Sequence, residues 1–247
     1  MTWVAQLDGI KVAALMTEAA AAYQGDAAKA EKMRADAVRL VREGDDKPFL
    51  DLDVNDEAHV TVVGAFGLTF HTDDGGAHWS SWTQRIPNAA GNHLYGIAHK
   101  GDVVAVAGEQ GSVYRSDDRG DDFSEKPTPS KISNFGLLMS TTQRWLVFGL
   151  RGKAFVSDDA GDQWKDVAID SSASLTAGLV LNDGTIVLSS QSGSLYASAD
   201  GGHVFKPIKV ANPVPTIALA QAPDGSLVLA GVRGVTRMSE PIFQGGK

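Results

Sequence analysis

The sequence predicts an all-β chain, a β-propeller of about five four-stranded blades, with an α-helical hairpin inserted near the N-terminus. Three observations carry this. Glycine fills 27 of 247 positions, well above average usage, and glycine at that density marks many turns. A box of the form Ser/Thr-x-Asp-x-Gly-x-x-Trp/Phe recurs four times, at intervals of 44, 41 and 41 residues. A repeat of about 40 residues holding four short strands is the size of one propeller blade.

The composition sets outer limits. Lys and Arg number 22 against 30 Asp and Glu, for a formal net charge of −8. An acidic chain without a basic run is unsuited to a phosphate backbone, so no nucleic-acid partner is expected. With 43% hydrophobic residues the chain can bury a core. It has no cysteine, which excludes disulfides, thiolate nucleophiles and Cys-metal sites. No run reaches the roughly 18 apolar residues of a spanning helix. The opening MTWVAQLDGIKVAALM lacks a secretory pattern, so no export signal is expected from the chain as written.

In order along the chain, residues 3–7 come first. Trp3 reads like the closing aromatic of a box, so 3–7 is expected to be the outer strand that completes the last blade and closes the ring. Residues 8–44 are Ala-rich, with Val12, Leu15, Met16, Ala19, Ala20 and Tyr23 at helical spacing. Gly25 breaks that helix and Asp26 is placed to cap a second. Ala30, Met33, Ala37, Leu40 and Val41 continue the stripe, and Gly44 ends it. Blades are then expected at 48–84, 92–127, 134–169, 174–210 and 216–239, all within one domain, 1–247.

The boxes are TDDGGAHW (72–79), SDDRGDDF (116–123), SDDAGDQW (157–164) and SADGGHVF (198–205). Gly67, Gly111, Gly152, Gly193 and Gly234 keep phase with them, as do Gly64, Gly108, Gly149, Ser190 and Gly231. Each box is expected to turn the chain between strands three and four. Asp74, Asp118, Asp159 and Asp200 would accept backbone N–H groups of their own turns. Gly76, Gly120, Gly161 and Gly202 would supply a backbone that a Cβ forbids. Trp79, Phe123, Trp164 and Phe205 would leave the turn and pack into the next sheet. The fifth unit has Ser239-Glu-Pro-Ile-Phe at its box position and so lacks both Asp and Gly.

This template resembles the Asp-box, or bacterial neuraminidase repeat, of β-propellers. With Lys47-Pro-Phe-Leu-Asp51, Val63-Gly-Ala-Phe-Gly67, Gly108-Glu-Gln-Gly111 and Phe148-Gly-Leu-Arg-Gly152, the chain is most similar to the photosystem II stability/assembly factor-like propellers, over about residues 45–239. The resemblance implies a non-catalytic scaffold that binds a protein, such as a subunit of a membrane complex, in the periplasm or otherwise outside the cytoplasm. It implies no cofactor. Family members usually carry an export signal and more blades.

The turns between strands two and three place Phe66, Gln110, Arg151, Ser192 and Arg233 at one repeat position. They are expected to ring one channel mouth, joined there by the hairpin and by the loop that starts at Arg85. Arg151 and Arg233 suit an acidic partner segment. The alternative is a glycan-binding or sialidase-like glycoside hydrolase propeller, since Asp boxes occur there too. Against it, Tyr114 and Tyr196 occupy the repeat position of Phe70 and Phe155, as core residues do, and box aspartates are turn formers. The six histidines show no recognised zinc spacing, so no metal site and no catalytic residue is expected.

Overall fold

The computed structural model describes residues 4–44, 46–210 and 212–238. Among them the chain builds five antiparallel sheets, arranged as propeller blades. Blade 1 comprises β1 (Phe49–Val54), β2 (Val60–Gly64), β3 (Thr69–Thr72) and β4 (Ser80–Ser81). Blade 2 comprises β5 (Leu94–Lys100), β6 (Val103–Gly108), β7 (Val113–Ser116) and β8 (Ser124–Glu125). Blade 3 has β9 (Asn134–Met139), β10 (Trp145–Gly149), β11 (Ala154–Ser157) and β12 (Lys165–Val167). Blade 4 has β13 (Leu175–Val180), β14 (Ile186–Ser190), β15 (Leu195–Ser198) and β16 (Lys206–Ile208). Blade 5 has β17 (Ala218–Gln221), β18 (Leu227–Gly231) and β19 (Gly234–Met238). The first strands β1, β5, β9, β13 and β17 pack in succession around a central channel.

The boxes fold as their chemistry requires. In blade 1 the Thr72 hydroxyl donates to Asp74 Oδ1 at 2.9 Å and accepts Gly76 N–H at 2.8 Å, while His78 N–H donates to Asp74 Oδ1 at 2.8 Å. Blades 2, 3 and 4 repeat this with Ser116–Asp118, Ser157–Asp159 and Ser198–Asp200. The four box glycines have φ between 89° and 99°, where only glycine rests without strain. The boxes of blades 1 to 3 are also tied to the turn between strands one and two: Gly75, Arg119 and Ala160 donate N–H to Ala58, Asp102 and Gln143.

The box aromatics pack onto the preceding blade instead of the following one. Phe123 of blade 2 joins Val63, Trp82 and Ile86 of blade 1. The Trp164 indole donates to Lys126 O of blade 2 at 3.0 Å. Phe205 lies with Leu146, Phe148 and Val156 of blade 3. The hydrophobic core is thus a series of inter-blade layers, filled wherever two sheet faces meet.

In blade 1 the box aromatic, Trp79, packs against the hairpin instead. α1 (Gly9–Ala22) and α2 (Ala27–Glu43) are capped by Asp8 and Asp26, whose carboxylates accept Lys11 N–H and Lys29 N–H. Gly44, at φ 85°, returns its N–H to Leu40 O. Val12, Ala13, Met16, Ala37 and Leu40 bury against Val62, Phe70 and Trp79, as the 3/4 spacing predicts. Val41 departs from that stripe and is exposed. The hairpin therefore flanks blade 1. No hairpin residue lines the channel itself, but the hairpin reaches the expected face beside the turn between β2 and β3, where Arg39 of α2 stands 5.6 Å from the Phe66 ring and Lys32, Met33 and Asp36 share a cleft with Phe66 and Asn88.

The expected closing strand also differs. Trp3 lies outside the described residues, and Val4–Asp8 forms no strand. The Gln6 side chain donates to Gly75 O at 3.0 Å and Leu7 packs in the layer under the hairpin. The segment caps α1 and packs beside Trp79, so it is held at blade 1. Blade 5 accordingly has three strands among the described residues, not four.

Candidate functional site

The site begins with a register defect. In blades 1 to 4 the first strand skips one residue against its neighbour near its start. The skipped residues are Leu50, Tyr95, Phe135 and Thr176. A bulge bends the strand and re-aims one side chain, and here all four line the channel. Ile217, 41 residues beyond Thr176, lines it too. Leu50, Tyr95, Phe135 and Ile217, with the hydroxyl-bearing Thr176, line a channel of about 490 Å³ that also takes in Asp51 and His99. Leu50 and Ile217 are exposed, and Tyr95, Phe135 and Thr176 are half-buried.

The bulges open beside the turns between strands two and three. Those turns are short 3-10 segments, Ala65–Gly67, Glu109–Gly111 and Leu150–Gly152. In each, the first residue donates N–H to the carbonyl just before the blade's inner strand: Ala65 to Pro48, Glu109 to His93, Leu150 to Ser133. Their central residues, Phe66, Gln110 and Arg151, sit at φ 56°, 58° and 59°. That left-handed backbone is costly for a side chain with a Cβ. All three are exposed, as are Ser192 and Arg233 at the same repeat position.

An aromatic path joins rim to ring. Phe66 meets His93 at 4.8 Å between centroids, His93 meets Tyr95 at 6.2 Å, and Tyr95 meets Phe135 edge-on at 5.3 Å. Arg39 and Lys47 each stand 5.6 Å from the Phe66 ring. Glu109 accepts His93 N–H at 2.8 Å and the Tyr95 hydroxyl at 3.4 Å. Burial and the Glu109 carboxylate push the Tyr95 phenol above its usual range, so it stays neutral.

Arg85 stands apart from this surface. Its guanidinium donates to Gly120 O and Asp121 Oδ1 in the box of blade 2 and lies 4.8 Å from the Trp82 ring. It is turned away because Trp82 and the acidic box give it a stacking face and an anion. The rest of its loop does reach the rim, since Asn88 Nδ2 approaches Gly67.

Asp51 contributes a carboxylate to the channel lining, and it is spent on Leu52 N–H and Ile97 N–H, both at 2.9 Å. Burial raises its pKa. The Tyr114 ring is buried between blades and the Tyr196 hydroxyl donates to Asp170 O at 3.1 Å. No three His, Asp or Glu side chains among the described residues stand as a ready-made metal cage. No described helix is long and apolar enough to cross a membrane.

Fold and site together define an Asp-box propeller whose channel is lined by apolar, aromatic and polar side chains beside an exposed rim of strand two–three turns. The chain belongs to the photosynthesis system II assembly factor YCF48 family, whose model matches residues 28–203. It is 32% identical over 75 residues to the photosystem II assembly lipoprotein Ycf48 of Synechococcus sp. (strain CC9902), covering 30% of this chain and 22% of that protein. A solved YCF48 bound to D1 peptide superposes with TM-score 0.61 at 18% identity, over 74% of this chain and 60% of that one. A GH74 xyloglucanase from Xanthomonas campestris superposes with TM-score 0.58 at 17% identity, over 72% of this chain and 34% of that one. The chain thus spans less than two thirds of the length of each of these relatives, from 22% to 60%, and the structural likenesses speak to fold alone.

Proposed function

We propose that the protein is a non-catalytic scaffold that captures an extended segment of a protein partner at the channel mouth, in the assembly of a membrane complex outside the cytoplasm. The observation that carries this is the bulge ring. Four blades each give up a ladder position to turn one side chain toward the axis, and three of the four, Leu50, Tyr95 and Phe135, are apolar or aromatic. An apolar centre with a polar rim is the anatomy of a protein-binding surface, and Tyr, Phe and Arg are its usual anchors. Arg151 and Arg233 would meet a carboxylate at the rim, while Leu50, Tyr95, Phe135 and Ile217 take apolar side chains. The photosystem II name of the curated relative and the D1 peptide of the solved one favour a membrane-protein segment as ligand. The lipoprotein among the relatives favours an extracytoplasmic site.

A glycan hydrolase is disfavoured by chemistry. Most such enzymes need a pair of carboxylates across the bond, and sialidases a tyrosine nucleophile with an arginine cluster; in the channel Asp51 is bound to two backbone amides, and no arginine lines the channel beside Tyr95. Titration of a labelled D1 peptide tests the proposal. Tyr95→Ala with Phe135→Ala should weaken binding at least about tenfold, and Arg151→Ala with Arg233→Ala should weaken it and flatten its salt dependence. Unchanged affinity in both pairs would sink it.

A further inference from the structure

Beside the turn that carries Phe66, a cleft of about 590 Å³ separates the hairpin from the link between blades 1 and 2. The propeller repeat does not demand it. The link from β4 to β5 holds 12 residues, against 7 to 9 between the other blades, and only here does a helix stand across from a link. Both walls are preformed. Ile86 is buried and anchors the link, while Asn88 closes it, with Nδ2 donating to Asn92 O at 2.8 Å and Oδ1 accepting Asn92 N–H at 3.0 Å. The other wall is α2, held by its buried stripe Ala30, Met33, Ala37 and Leu40. Met16, Met33, Phe66, Ile86 and Pro87 give the cleft an apolar lining. Methionine adapts to the shape of what enters.

The charge of the α2 wall runs against that of the chain. Lys29, Lys32, Asp36 and Arg39 lie three and four residues apart, so they share one helix face. Asp36 serves both Lys32 at 2.6 Å and Arg39 at 3.4 Å, and Lys29 lies over the Tyr23 ring at 5.6 Å. That face thus holds three cations to one carboxylate, in a chain of net charge −8. Glu125 is the other carboxylate of the cleft and stands with the link and not on α2.

We propose that this cleft receives the flank of the partner segment held at the channel mouth, and that the flank is acidic with one large apolar side chain. The proposal rests on the scaffold reading above and extends it. Continuity supports it. Phe66 lines the cleft, and from its ring the path runs through His93 to Tyr95 in the channel. The steps of 4.8 and 6.2 Å cover about 11 Å, which three to four residues of extended chain span. The strained backbone of Phe66, at φ 56°, holds a large apolar ring 43% exposed at that junction, and strain of this kind persists where a site uses it. In the cleft the apolar side chain rests on Met16, Met33 and Ile86, and the acidic residues meet Lys29 and Lys32.

The test is fluorescence titration of the intact protein with labelled D1 peptide, bare and lengthened at either end by five residues, a leucine flanked by glutamates. For one of the two ends the lengthened peptide should bind at least about tenfold tighter than the bare one. That ratio should fall towards one in Ala89→Trp, which fills the cleft from the link, and in Lys29→Glu with Lys32→Glu. All three positions are exposed, so these changes spare the core. An extension with lysines in place of the glutamates should gain nothing. If the bare peptide binds and neither extension adds affinity, or if the gain survives in both variants, the cleft proposal is overturned and the channel reading stands. If the bare peptide does not bind, both fall. Light scattering closes the remaining alternative: a dimer that Ala89→Trp dissolves would give the cleft to a second copy of the chain and overturn the proposal.

Discussion

Replacing Arg151 by glycine should stabilise the fold while weakening partner capture. Arg151 sits at φ 59°, in the left-handed region that costs a residue with a Cβ about 1–2 kcal/mol. Glycine relieves that strain but loosens the unfolded chain, at about 0.4–1 kcal/mol. Little else changes. The side chain is exposed, and the turn's bonds to Ser174 Oγ and from Leu150 N–H to Ser133 O use backbone atoms that glycine keeps. The net gain is about 0.5–1 kcal/mol, or about 1–4 °C in Tm for a domain of this size. Gln110→Gly, at φ 58°, should gain as much. Urea unfolding and thermal melts of both variants provide the measurement, with peptide titration beside them. A fall in Tm for both would refute the strain argument. A rise in Tm with unchanged affinity in Arg151→Gly would show that the strained arginine serves no binding purpose.

Box glycines should rank by what a Cβ meets beyond the shared positive φ. Gly120→Ala would press within 2.1 Å of the Trp82 ring and should destabilise most, Gly161→Ala meets Lys126 and Trp145 at 3.1 Å and comes next, and Gly202→Ala meets Leu146 only at 3.4 Å and should cost least by urea midpoint. The Trp79 indole N–H is buried without a partner among the described residues, whereas that of Trp164 is bonded. Trp79→Phe should therefore be better tolerated than Trp164→Phe, by about 1 kcal/mol in chemical denaturation. The His78 backbone N–H and ring hold the Asp74 pKa down at about 2, and the Ser116 hydroxyl and Gln163 N–H lower those of Asp118 and Asp159. Folded values below the unfolded one mean stability present above about pH 4 and lost as pH falls toward 2. The urea midpoint should drop across that window, after a smaller decline as pH falls below about 6.5, because burial lowers the His71 pKa.

The boxes were readable in sequence because their chemistry is local. A hydroxyl, a carboxylate and a positive-φ glycine at fixed spacing close the turn whatever surrounds them. The hairpin was equally readable, since Asp26, Gly44 and the Met33–Ala37–Leu40 stripe act within one helix. Long-range partners were not. Nothing in TWVAQL distinguishes an outer strand from a segment that caps α1 and reaches Gly75. Arg85 reads as a rim residue until Trp82 and Asp121 are placed beside it. The bulge ring was missed because a register slip belongs to two strands at once. Its trace lay in the repeat all the same: Leu50, Tyr95, Phe135, Thr176 and Ile217 recur at 40–45 residues, the first four second in their inner strands and Ile217 just before β17.

Amide hydrogen exchange of the protein with and without bound D1 peptide tests the central claim most directly. The account predicts slowed exchange at the bulges around Leu50, Tyr95, Phe135 and Thr176 and in the turns carrying Phe66, Gln110 and Arg151. Slowed exchange confined to the Asp-box turns at Asp74, Asp118, Asp159 and Asp200, or to the outer face of α2, would contradict it.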